Sequence, residues 1–192
     1  LSGTDSYTGA TTINSGTLDV EGAITSTSNV TVKEGAALTG TGTVDPLAIT
    51  IASGASFVPG SGTPGTSTKI AGSLAFQSGA IYLVQVNPGA TSFTNISGAA
   101  TLAGNANAVF ASGIYTARQY DILHAGKLDG TFAGLDITNL PANFTAGLTY
   151  TSTDVLLNLH AALDPGTGPK SNQQNVAAAL NYVFNSGGTT PP

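Results

Sequence analysis

The phrase "NSGTLDV" at residues 14–20 returns as "KEGAALTG" at 33–40 and "ASGASFVP" at 52–59, which sets Gly16, Gly35 and Gly54 19 residues apart. A fixed period of about twenty residues marks a chain of stacked units, none of which can bury its apolar face alone. The file of glycines runs on to Gly79 after a longer insertion and to Gly98 after 19 more. Each glycine precedes a short alternating run: Leu18 and Val20, Ala36 and Leu38, Ala55 and Phe57, Ile81 and Leu83, Ala100 and Leu102. A second short run precedes it, as in "VTV" at 30–32, "ITI" at 49–51 and "LAF" at 74–76. Alternation broken by Gly, Asn, Ser and Pro predicts two or three strands per unit. Units stacked at the usual strand spacing of about 4.8 Å would make a parallel β-helix over residues 1–109. Leu18, Val32, Leu38, Ile51, Phe57, Leu74, Phe76 and Leu102 are its expected interior, and "PGSGTPGTST" at 59–68 reads as a protruding loop.

Composition supports strands rather than helices or disorder. Hydrophobic residues make up 41% of the chain, charged residues only 8%, and there are 25 glycines in 192 residues. That is too apolar for a disordered chain and too poor in Glu, Lys and Leu for a helical one. The net charge of −5, with five scattered Lys and Arg, provides no cationic stripe for phosphates, so nucleic acid is not an expected partner. No apolar run reaches the length of a membrane span and no signal peptide opens the chain. Leu1 falls inside what reads as a repeat, so the expectation is a piece of a longer exported protein. Without Cys there is no disulfide framework, and ladders and core packing must hold the fold.

From Tyr115 the period fails and longer runs follow: "YTARQYDILHAG", "GTFAGLD", "LTYTSTDVLLNLHAAL". Residues 110–161 read as antiparallel hairpins that close the open end of the stack, with "TSTD" at 151–154 as a turn. Leu123, Phe132, Leu148, Val155, Leu157 and Leu159 are the expected core of this cap. Residues 162–192 read as a linker and an amphipathic helix. The Pro/Gly break "DPGTGPKSN" precedes a helix over about 172–185, with Val176, Ala179, Leu180 and Val183 on one face and Gly187 as its stop.

"LSGTDSYTGATTINSGTLDVEGAI" followed by "VTVKEGAALTGTGTV" resembles the passenger-associated repeat of autotransporters, the type V secreted proteins of Gram-negative bacteria. "YDILHAGKLDGTFAGL" and "LTYTSTDVLLNL" resemble the autochaperone region of those passengers, and "NQQNVAAAL" is similar to the segment that precedes the family's membrane barrel. The resemblance covers nearly the whole chain in the family's order. It implies a right-handed β-helix, exported to the cell surface or beyond, whose C-terminal rungs fold first and template the rest. It also implies a partner, the protein's own outer-membrane β-barrel. No barrel strands follow Asn185 in this sequence.

Chemistry is sparse. Asp19 and Glu21 are the only close acid pair, with Glu34 one unit on; a polysaccharide-cleaving β-helix would need two carboxylates flanking one bond, and a solvated acidic edge is the better account. His124 and His160 stand 36 residues apart with no further ligands at metal spacing. No G-x-S-x-G elbow or calcium nonapeptide occurs, and neither metal nor cofactor is expected. The resulting expectation is a non-enzymatic stem that nucleates folding and spaces a functional tip from the cell. The alternatives are an adhesive module that binds a host surface or itself through Thr/Ser faces and the 59–68 loop, and the polysaccharide-cleaving enzyme.

Overall fold

A computed structural model describes residues 1–164 and 171–186. Within them the chain passes six times through the same three strand positions. The first pass lays down β1 (Thr4–Asp5), β2 (Thr11–Ile13) and β3 (Gly16–Asp19), and the second β4 (Ala23–Thr25), β5 (Asn29–Val32) and β6 (Ala36–Gly40). The third comprises β7 (Thr43–Asp45), β8 (Ala48–Ile51) and β9 (Ser56–Pro59), the fourth β10 (Ser67–Ile70), β11 (Ser73–Phe76) and β12 (Ile81–Val86). In the fifth and sixth, the first two positions fuse into the long strands β13 (Phe93–Leu102) and β15 (Arg118–Gly130), followed by β14 (Asn105–Phe110) and β16 (Gly134–Thr138). Strands at one position pair in parallel with those of the next pass, giving three parallel ladders. The first two ladders belong to one sheet because β13 and β15 serve both.

Register follows from burial. Inward side chains stack in single file, Leu18, Leu38, Phe57, Tyr82, Ala106 and Leu135 in the third ladder, and Ile24, Val44, Ile70, Ile96 and Ala125 in the first. A slip of one residue would turn each file outward. Val32, Leu38, Ile51, Phe57, Leu74, Phe76 and Leu102 are buried. Leu18 is only partly buried, packed against that core from the first pass, where among the described residues it has a stacked neighbour, Leu38, on one side alone.

The passes lengthen along the chain. Thr11 stands opposite Val30 and Asn29 opposite Ala48, steps of 19 residues, but Ala48 to Ser73 is 25, Leu74 to Ala100 is 26 and Asn105 to Gly134 is 29. Three expectations change as a result. Gly16, Gly35, Gly54 and Gly79 do share one corner, with φ of 73°, 74°, 73° and 81°, a left-handed turn that glycine adopts without strain. Gly98 does not continue that file; it lies within β13 and its N–H donates to the Gly72 carbonyl at 3.0 Å. Nor do Ile81 and Leu83 face inward: Ala80, Tyr82, Val84 and Val86 are the buried residues of that run. Third, the repeat does not stop at residue 109. Residues 118–138, expected as antiparallel hairpin, form a sixth parallel pass in β15 and β16.

Among the described residues, apart from an isolated antiparallel bridge between Val86 and Thr91, the antiparallel part consists of β17 (Phe144–Tyr150), β18 (Asp154–Ala161) and the contact of β18 with β15. The segment at 59–68 is anchored at both ends, with Ser61, Thr63 and Gly65 exposed between them. Gly60 is buried, the Thr68 hydroxyl accepts from the Gly60 N–H at 3.0 Å and donates to the Gly40 carbonyl, and Ser67 and Thr68 already belong to β10. The helix α1 (Ser171–Asn185) has no buried residue; Val176 and Leu180, expected on its packed face, are 59% and 43% exposed. The Pro/Gly break at 165–170, the stop at Gly187 and "TTPP" lie outside the described residues.

Candidate functional site

The residues with the densest interactions gather where the parallel passes meet the hairpin. Strand β15 pairs on one side with β13 in parallel and on the other with β18 antiparallel, Tyr120 opposite Leu157 and Leu123 opposite Val155. It thereby converts an open parallel edge, a template for unwanted pairing, into the interior of a sheet. Leu123, Val155, Leu157 and Leu159 are at most 1% exposed and Phe132 is 6% exposed. Leu148 is partly buried, on β17 at the outer side of the hairpin.

Beneath this seam lies a cluster of four rings. Phe57, Phe76 and Tyr82 come from the third and fourth passes, and Phe132 comes from the connection between β15 and β16. Phe132 stacks on Tyr82 with centroids 5.6 Å apart and meets Phe76 edge-on at 5.4 Å; Phe57 stacks on Tyr82 at 5.9 Å. Ala106, directly over Tyr82 in the register, is small enough to let a ring two passes away reach it. The Tyr82 hydroxyl is fully buried and satisfied. It donates to the Ile122 carbonyl and accepts from the Thr94 hydroxyl at 2.9 Å, and burial pushes its pKa above the ordinary range. Tyr150 closes the arrangement from the hairpin, its hydroxyl accepting from the Phe132 N–H at 3.2 Å.

The histidine read as isolated has a partner here. His124 Nδ1 lies 2.6 Å from Asp154 Oδ1, opposite it in the β15–β18 register. The Thr153 and Thr151 hydroxyls donate to Asp154 Oδ2 at 2.6 and 2.8 Å, and the Asp154 N–H donates back to Thr151 Oγ1 at 2.8 Å. These hydroxyls and His124, with Thr153 the largest influence, hold the Asp154 carboxyl down at about 2. The pair clamps the hairpin turn to β15. Thirty residues separate its members, and "TSTD" signalled only a turn. His160 is exposed on β18 opposite Thr145.

Asp19 and Glu21 meet a residue from the 59–68 segment. Ser61, at φ 51°, donates to Glu21 Oε1 at 2.5 Å and lies 3.5 Å from Asp19 Oδ1, while Thr41 donates to Glu21 Oε2 at 2.6 Å. The Ser61 and Thr41 hydroxyls lower the Glu21 carboxyl below its ordinary value. Glu34 sits elsewhere, its side chain against Gly54. Among the described residues, no group of three or more His, Cys, Asp or Glu side chains is placed to hold a metal ion. No protein-family model matches the chain, and no curated protein matches it.

Proposed function

We propose that this chain is the stem of an exported bacterial surface protein of the autotransporter type, a right-handed parallel β-helix whose C-terminal end nucleates folding. One observation carries the reading: the ring of Phe132 and the Tyr82–Ile122 bond join passes that are not neighbours in the stack. A stack whose units touch only adjacent units can begin folding anywhere. Links that skip a pass occur toward the N-terminus too, as between Thr68 and Gly40, but at the C-terminal end they join buried aromatic rings into one cooperative cluster, and there the hairpin pairs with β15. Growth toward Leu1 then adds one pass at a time, each burying inward side chains worth about 1.5–3 kcal/mol apiece. In the exported protein this burial opposes backsliding through the secretion pore, and the finished stack spaces a functional tip from the outer-membrane barrel. The role is non-enzymatic.

Pulse-labelled hydrogen exchange during refolding of the whole chain tests the order of events. The amides of Tyr82, Ile122, Leu123 and Leu157 should become protected before those of Val32, Leu38 and Val44. Simultaneous protection, or earlier protection of the N-terminal passes, sinks the nucleation reading.

A further inference from the structure

Helix α1 attaches to the body in an unusual way for a helix with apolar side chains. Tyr182 and Phe184 are 51% and 53% exposed, as open as Val176 and Leu180, and no residue of α1 is buried, so apolar packing alone does not hold it. Two asparagine amides do. Asn185 accepts from the Ala161 N–H at 2.7 Å and donates to the Ala161 carbonyl at 3.0 Å; Asn181 does the same with Leu163 at 2.7 and 3.2 Å. Each amide satisfies one residue's N–H and C=O together, as a neighbouring strand would.

The geometry explains the fit. Four residues along a helix advance about 6 Å, and two residues along a strand advance about 6.8 Å, so side chains at i and i+4 of α1 can meet backbone groups at alternate residues of an extended chain. Among the described residues, no strand pairs with the edge they meet. Ala162, between the two, turns its N–H the other way, to the Asn143 carbonyl beside β17. On the side of Ala161 and Leu163, strand β15 begins only at Arg118, opposite Leu159. The amides therefore extend the β15 lane past its end.

We propose that α1 is a strap held shut by Asn181 and Asn185, which stands in for an edge strand over the end of β18 and opens as a unit while the rest of the sheet stays formed. The four asparagine hydrogen bonds, on a helix with no buried residue, make a contact with low opening energy. Opening bares the backbone of Ala161 and Leu163 together with the apolar cavity of about 230 Å³ between Tyr115, Phe144, Leu163 and Phe184.

Native-state hydrogen exchange on the full chain is the test. The Ala161 and Leu163 amides should exchange together and at least about tenfold faster than those of Leu157 and Leu159. In N181A/N185A their remaining protection should vanish while Leu157 and Leu159 keep theirs, which also shows that the body is folded. A V176A/L180A variant should leave Ala161 and Leu163 as in the parent. The proposal is overturned if the parent's Ala161 and Leu163 exchange only along with Leu157 and Leu159, if N181A/N185A leaves them protected, or if V176A/L180A releases them.

Discussion

The first three passes and the last two use one alternating grammar to different ends. In β1 to β9 strands are two to five residues long and steps are 19 or 20. Each inward side chain there is stacked on its neighbours in the file. In β13 to β16 strands run from five to 13 residues and steps reach 29, and Phe132 and the Ile122 carbonyl reach across a pass to Phe76 and Tyr82 of the fourth. Short uniform passes give a stack that is easy to lengthen; long ones enclose room for aromatic side chains that tie several passes into one cooperative body. The difference lies in the width of the core more than in the pairing.

Five changes would break or sharpen that contrast. Leu157→Asp places a carboxylate at a fully buried site of β18 and should cost more than about 4 kcal/mol, read by urea unfolding; retained stability would mean that the hairpin is dispensable. Phe132→Ala and Leu38→Ala, both losing buried apolar volume, should cost about 3–5 and 2–5 kcal/mol, but in different rates. Phe132→Ala should slow refolding, whereas Leu38→Ala should mainly speed unfolding; equal partitioning in stopped-flow kinetics would erase the distinction between the two ends. Ile51→Val should cost about 1 kcal/mol and leave the refolding rate unchanged. Smallest is Asp154→Asn, up to about 1 kcal/mol because the pair is partly solvated. Its carboxyl titrates lower in the folded state than the ordinary value near 3.9, so the stabilisation is present above about pH 4 and lost as pH falls toward about 2. The variant should show a flatter stability profile across that window, measured by thermal melts.

The alternation that set Val32, Ile51 and Leu74 inward was legible because the large apolar residues occupy only one frame of those strands, with Thr31, Thr50 and Ala75 in the other. In "IYLVQV" both frames are apolar, and aliphatic character alone favours Ile81 and Leu83 over Tyr82. The tyrosine is inside because the Ile122 carbonyl and Thr94 satisfy its hydroxyl, and those partners lie 40 and 12 residues away. The sixth pass was hidden for a related reason: its 29-residue step has no glycine signature. The clamp of His124 on Asp154 and the strap asparagines depend on which strands become neighbours, and periodicity does not encode that. Asn181 and Asn185 drew no notice because an amphipathic reading of a helix attends to its apolar stripe.

The buried phenol also gives the molecule an uneven optical character. The chain has no tryptophan and six tyrosines, of which Tyr82, Tyr115, Tyr120 and Tyr150 belong to the fourth pass and beyond, Tyr7 to the first pass and Tyr182 to α1. Ultraviolet emission and near-ultraviolet dichroism therefore report chiefly on the wide end. A spectroscopist watching this protein fold would see the aromatic end lock into place while the passes from β2 to β9, which carry no tyrosine, assembled in the dark.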